Sequence, residues 1–210
     1  LPLRLKTIFE NLATGGAVAF YRDQIGLRPR MRERLYSQDF VRALHGFTPL
    51  EVLAPLYAQA DAPDALGRGQ FTDVELYMTD DVLVKVDRAS MAHSLEVRCP
   101  LLDHRILEFA ARLPSRLKVD SRRGKLVLRA LASRRLPESI TGLPKRGFSM
   151  PLAGWLRKEL RPVAESLLFD SSRQMAGVLE PGVVRELWQE HLSGHRDHSA
   201  LVWSLVMLEM

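Results

Sequence analysis

DVLVKVDRASMAHSLEVRCPLLDHR, from Asp81 to Arg105, is the stretch on which the reading of this 210-residue chain turns. Asp81, Lys85 and Arg88 recur at i, i+4 and i+7, so a helix through them lines all three along one face. Val82, Leu83, Val86 and Ala89 cover much of the remainder, the pattern of a helix packed into a domain with one charged stripe at a cleft or at solvent. A plain surface pair worth about 0.3–0.5 kcal/mol has the same spacing. From Leu95 to Pro100 polar and apolar residues alternate, and Asp103 then offers an N-cap, so an extended crossing leads into a new helix. Glu96 and Arg98 lie two residues apart and therefore point to one side of that crossing, among apolar neighbours. Buried charge at such a place is paired. A structural Glu–Arg network and a substrate-binding one share this signature. Cys99, the single cysteine, reads here as a buried structural residue.

The second informative run is PKRGFSMPL, Pro144 to Leu152, whose two prolines and glycine exclude a regular helix. It reads as a loop presenting Lys145 and Arg146. Two adjacent cations in a stiffened loop suit a polyphosphate, because lysine acts as a compact point charge and arginine as a planar fork. A basic surface loop would look the same.

The rest of the chain reads as helix after helix, hence a mainly α fold class. The expected helices are Leu3 to Ala13, a second after a break at Gly15-Gly16 through Tyr21 toward Ile25, Arg30 to Leu35, Ser37 to Leu44 and Thr48 to about Gln59. They continue from about Ala65 to Met78, with Thr79 capping the Asp81 helix, then from Asp103 to Leu113 and from Gly124 to Arg134. Pro151 to Leu168, broken near Pro162, Pro181 to Leu192 and Ser199 to Met210 close the chain. Trp155, Trp188 and Trp203 sit at helical spacing among Leu and Val and are expected in the core.

With 46% hydrophobic residues the chain can bury a substantial core, as one or two domains. A lone cysteine excludes a disulfide framework and a Cys-rich zinc module, and no metal site is expected. The net charge of +5 comes from scattered clusters such as Arg122-Arg123 and Arg134-Arg135, without interleaved aromatics, which argues against nucleic acid. No run of about 18 apolar residues appears, so no membrane span is expected and the chain reads as cytoplasmic. Gly124-Lys125 lacks the earlier glycine and the following Ser/Thr of a P-loop. His191, His195 and His198 suggest a metal by spacing, but Gly194 interrupts them, and a turn between the last two helices explains them better.

The runs DVLVKVDRASMAHSLEVRCPLLDHR, LPSRLK (Leu113 to Lys118), GKLVLRAL (Gly124 to Leu131) and LPKRGFSMPLAGWLR (Leu143 to Arg157), in this order, closely resemble the C-terminal synthetase domain of the glutamine-dependent asparagine synthetases. The resemblance is strong from Asp73 onward and looser before it. LEVRCPLLDH and PKRGFSMPL are most similar to the bacterial branch associated with exopolysaccharide and exosortase loci.

The resemblance implies that residues 1–210 are the C-terminal helical part of an α/β, PP-loop synthetase domain. It implies a reaction in which Mg-ATP adenylates a carboxylate, aspartate in the parent enzymes, and glutamine-derived ammonia displaces AMP. Lys145 matches the lysine held against the departing pyrophosphate and is the one catalytic residue carried over. Asp81, Lys85, Asp87, Arg88 and Arg146 fall at or beside the substrate and ATP cleft. Glu96, Arg98 and Asp103 match positions that support it from behind. The family's S-G-G-x-D-S and G-E-G-x-D-E motifs and its N-terminal nucleophilic cysteine do not occur in the sequence. The implied partners are therefore an upstream PP-loop segment and a glutaminase domain of the same protein, with a small carboxylate as substrate and homodimerisation left open. The 210 residues alone are expected to be inactive. Relatives joining another carboxylate and amine, and a non-catalytic helical scaffold that keeps the motif for packing, are the alternatives.

Overall fold

Capping side chains and prolines set the helix boundaries of this chain. The structure, a computed structural model, describes residues 14, 16–24, 26–144, 150–170 and 175–210, with backbone only at 23 and 24. The helices are α1 (Gly16–Gln24), α2 (Pro29–Leu35), α3 (Gln38–Ala43), α4 (Leu50–Gln59), α5 (Ala65–Thr72) and α6 (Val84–Met91). After them come α7 (His104–Arg112), α8 (Ser115–Lys118), α9 (Leu126–Arg135), α10 (Glu138–Thr141), α11 (Leu152–Arg157), α12 (Arg161–Leu168), α13 (Pro181–Leu192) and α14 (Ser199–Glu209). A π-helical segment, Asp73–Leu83, joins α5 to α6, and a short 3-10 turn, Pro100–Leu102, precedes α7. Among the described residues there is no strand, only two isolated antiparallel bridges, Tyr36 with Leu179 and Val119 with Gly124. The mainly α expectation therefore holds among the described residues.

Ser37 and Asp103 cap as their sequence positions predict. The Ser37 hydroxyl accepts the Phe40 N–H at 3.1 Å, and the Asp103 carboxylate accepts the Arg105 N–H at 2.9 Å. Pro162 lies in the first turn of α12, so the break falls just before it, where its missing N–H costs nothing. Thr79 departs from expectation. Residues 65–91 form one unbroken helical run, and the Thr79 hydroxyl bonds back to the Glu75 carbonyl at 2.6 Å instead of capping forward. A threonine inside a helix satisfies its hydroxyl on the preceding turn, and the π segment takes up the change of register. The expected helix at 3–13 lies outside the described residues.

The chain divides into two compact units, one built from the described residues of 1–20 and 50–146, the other from those of 21–49 and 147–210. In the first, Leu53 and Tyr57 of α4, Ala60, and Gly69 and Thr72 of α5 are buried. Phe20 packs on Tyr57 with ring centres 5.8 Å apart, and a Cβ on Gly69 would stand 3.0 Å from the Phe20 ring, so glycine lets this crossing close without displacing the ring. From Asp73 to Pro144 no residue of this unit is buried.

The second unit has a core of its own. Leu35 packs with Met175, Leu179, Val184, Leu187 and Leu205, while Leu156, Ala164, Leu167, Trp188, Val202 and Val206 form an adjoining cluster. Backbone bonds tie the distant segments: Glu180 N–H to the Leu35 carbonyl at 2.8 Å, and Ser37 N–H to the Val178 carbonyl at 2.9 Å. Trp188 is fully buried and Trp203 packs against the second cluster, but Trp155 is 39% exposed and stands outside the core that its spacing predicts. The short α11 turns Leu156, not Trp155, inward.

Candidate functional site

The charged motif lies entirely in the first unit. Asp81, in the π segment, and Lys85, in α6, pair at 3.5 Å across one turn, both more than half exposed. The predicted stripe therefore exists as far as this pair, in solvent, where it is worth a few tenths of a kcal/mol. Asp87 and Arg88 follow on α6, exposed. Asp87 lines a groove of about 280 Å³ together with Leu83, Val86, Ser90, Val97, Cys99 and Leu102, so the helical limb of the motif folds against its extended limb.

Glu96 and Arg98 pair as their two-residue spacing predicts, with the Arg98 Nε–H donating to the Glu96 carboxylate at 2.7 Å. They are not buried: the side chains are 71% and 83% exposed. Cys99 is exposed as well, against the expectation of structural burial. Both departures have one physical cause. The apolar residues Leu95, Val97 and Leu101 are themselves more than half exposed: α6 borders only an open groove beside Val97 and Cys99, and no described residue buries either face.

Asp103 does two things at once. It caps α7, and its carboxylate takes the Arg105 guanidinium through two bonds, Nε–H at 2.9 Å and an Nη–H at 2.8 Å. The Arg105 side chain chiefly, and the Arg105 amide second, hold the Asp103 carboxyl below its ordinary range. The role is to fix where α7 leaves the crossing.

LPSRLK forms α8 and is fastened to α5. The Ser115 hydroxyl donates to Asp64 at 2.5 Å, Asp64 caps α5 through the Gly67 N–H at 2.9 Å, and the Lys118 ammonium reaches Gln70 at 3.1 Å. The Ser115 bond is the main reason the Asp64 carboxyl sits low. Sequence reading passes over Asp64, although an aspartate three residues before an unpaired helical N–H is a recognisable cap signal. It also passes over Asp73, half-buried at the head of the π segment, whose carboxyl burial pushes up.

GKLVLRAL forms α9, with Lys125 in the left-handed region at φ 59° where the chain enters the helix. Between α9 and α10 lies an open groove of about 650 Å³, bordered by Arg123, Arg129, Ser133, Glu138, Thr141 and Leu143. It ends where the basic run begins. Lys145 and Arg146 themselves lie outside the described residues. Among the described residues no group of three His, Cys, Asp or Glu side chains could hold a metal ion, and no helix is long and apolar enough to cross a membrane.

Comparison with known proteins agrees with the motif. A Mycobacterium tuberculosis protein assigned as an asparagine synthetase (glutamine-hydrolyzing) is 34% identical over 169 residues, covering 78% of this chain and 26% of its own length. Asparagine synthetase (glutamine-hydrolyzing) 1 of Bacillus subtilis is 27% identical over 157 residues, 75% of this chain and 24% of its own length. The Gallus gallus asparagine synthetase (glutamine-hydrolyzing) is 38% identical over 82 residues, 38% of this chain and 14% of its own. The chain thus spans about a quarter of the length of the first two of these relatives. No solved structure matches it. The family model described as asparagine synthase matches residues 6–210, and the chain belongs to that family.

Proposed function

We propose that this chain is the C-terminal part of the synthetase domain of an ATP-dependent, glutamine-hydrolysing asparagine synthetase, and that it works only with an upstream nucleotide-binding segment of the same protein. One observation carries the reading. The residues around the family motif, from Asp73 to Leu143, form helices and connections with no buried side chain, and many of their large apolar groups are left uncovered. Helix α7 makes this plain: Ile106, Leu107 and Phe109 are 41%, 36% and 60% exposed, while His104, Arg105, Glu108 and Arg112 supply its polar side. Full burial of a side chain of this size is worth about 1.5–3 kcal/mol, and these forgo roughly a third to three-fifths of it each, so the surface is built to be covered.

On this reading the cover is the PP-loop portion, which carries the adenine and phosphate sites and the magnesium that travels with ATP. This chain supplies cations and support. The barrier to carboxylate adenylation is charge, since a carboxylate must approach an anionic α-phosphate while pyrophosphate leaves, and positioned cations are the main protein contribution. Lys145 neutralises the departing pyrophosphate, with Arg146 beside it. The Asp81–Lys85 and Glu96–Arg98 pairs and the Asp103–Arg105 clamp set the charges along the cleft wall. Once the cover excludes water, these pairs act in a lower dielectric and their geometry matters far more than it does in solvent.

The test is carboxylate-dependent ATP–pyrophosphate exchange by the complete reading frame, comparing wild type with Lys145→Met and offering aspartate beside a panel of other acids. Aspartate-driven exchange that falls at least a hundredfold in the variant, with unchanged thermal unfolding, is the expected result. Exchange with another acid alone keeps the mechanism and replaces the substrate. No exchange with any acid, or wild-type exchange in Lys145→Met, overturns the assignment.

A further inference from the structure

The turn joining α13 to α14 is stabilised by an arrangement that the synthetase reading does not use. His191, in the last turn of α13, is completely buried. Its carbonyl accepts the Arg157 Nε–H from α11 at 2.7 Å. Its ring Nδ1 accepts the backbone N–H of His198 at 3.3 Å, which requires Nδ1 to be unprotonated and places the ring hydrogen on Nε2. Nε2 is buried without a hydrogen-bond partner in bonding geometry. One carboxylate stands ready for a proton: Asp197 Oδ1 is 3.6 Å from Nδ1. That same oxygen accepts the Ser199 N–H, the first amide of α14, at 2.9 Å.

We propose that this turn is a proton-operated latch that fastens the start of α14 to the end of α13. With His191 neutral, the His198 amide is docked on Nδ1 and Asp197 caps Ser199. When a solvent proton occupies Nδ1, two N–H groups face each other, the His198 amide is expelled, and the new N–H turns to Asp197 Oδ1, which then divides its accepting capacity between the imidazolium and Ser199. The bond that docks the His198 amide is then lost and the cap on Ser199 is weakened with it, so the start of α14 loosens.

The surroundings decide where this happens. Burial is the main influence pushing His191 below its ordinary value of 6.5, and the Arg157 charge on α11 adds to it; Asp197 opposes both. The ring of His198 also faces the site, tied to Glu190 of α13 at 2.6 Å, and Trp188 lies 6.1 Å from the His191 ring. His195 and Arg196 lie on the exposed outside of the turn. Because the folded value is depressed, the contribution of His191 is complete above 6.5 and is lost as pH falls through the lower folded value.

Long-range proton–nitrogen correlation on the chain labelled with 15N-histidine reads the latch directly. At pH 7.5 His191 is expected as the Nε2–H tautomer. On acidification its protonation midpoint is expected below 6.5, and the protection factors of the His198 and Ser199 amides are expected to fall at least tenfold at that midpoint, with those of α12 unchanged. Asp197→Asn removes the negative charge that favours the protonated ring and is expected to move the midpoint lower still. His191→Gln, which keeps a neutral acceptor, is expected to abolish the step; should that variant not fold, the wild-type titration decides alone. An Nδ1–H tautomer at pH 7.5, or protection that does not change with the state of His191, overturns the proposal.

Discussion

Leu35→Ala tests whether residues 21–49 and 147–210 truly form one discontinuous unit. Leu35 is completely buried among Met175, Leu179, Val184, Leu187 and Leu205, all of them at least 140 positions away in sequence. Truncation removes about three carbons at ~0.8 kcal/mol each, and the surrounding helices close only partly over the space. The expected cost is ~3 kcal/mol, within the range of buried leucine truncations. Hydrogen exchange at two amides reports it locally: Glu180, bonded to the Leu35 carbonyl, and Ser37, bonded to the Val178 carbonyl. A loss of ~3 kcal/mol corresponds to exchange about a hundredfold faster at both. Leu208→Ala, at a side chain 61% exposed, is the control and is expected to stay within about 0.5 kcal/mol of wild type. Acceleration of less than threefold in Leu35→Ala would refute the packing of α2 against α13.

Two further expectations follow from other parts of the molecule. Phe109→Ser, on the uncovered face of α7, is expected to change the stability of the 210-residue chain by less than about 0.5 kcal/mol, yet to destabilise the full-length protein by ~3 kcal/mol. Equal effects in the two backgrounds, measured by denaturant titration, would remove the case for a cover over α7. In the second unit, the Trp188 indole N–H at 3.1 Å is the main cause holding the Glu165 carboxyl below 4.5, with Arg161 second. A depressed carboxyl contributes stability above its ordinary value and loses it as pH falls through the folded one, so Trp188→Phe is expected to raise the Glu165 midpoint and shrink that acid-side loss. Carboxyl carbon titration by NMR checks it, and an unmoved midpoint would assign the shift to Arg161 alone.

The legible parts of this chain are those decided by neighbours in sequence. Ser37 and Asp103 cap where their positions say they should, because a cap needs only the next three residues. The Glu96–Arg98 pair and the Lys85–Asp81 pair are local for the same reason. Thr79 misleads because a threonine hydroxyl serves equally as a forward cap and as a backward bond to the previous turn, and packing chooses between them. Trp155 misleads because periodicity identifies a face without saying how long the helix is; α11 ends at Arg157, and Leu156 takes the buried place. Cys99 and the Glu96–Arg98 pair mislead differently. Their apolar setting is real, but burial depends on a covering surface that local pattern does not contain. The Asp64–Ser115 tie spans 51 positions, and no periodicity announces such a contact.

The contrast between the two units also orders the steps by which the proposed site would form. The second unit buries Leu35, Leu156, Trp188, Val202 and Val206 almost completely, in two adjoining clusters. The motif-bearing unit buries a small core around Tyr57 and Thr72, and from Asp73 to Pro144 it has no buried residue, only local charge pairs in solvent. Such pairs contribute ~0–1 kcal/mol and cannot hold the cleft wall against thermal motion. Burial of α7 and the extended crossing stabilises the wall far more, because several side chains the size of Phe109 and Val97 leave water together. On the proposed reading, covering therefore comes first and electrostatic preorganisation follows from it: the pairs lose water only when the apolar faces are closed. A charge substitution such as Arg98→Met should then leave the uncovered chain almost unchanged while weakening the assembled site, since only there is Glu96 left with an unpaired charge away from water.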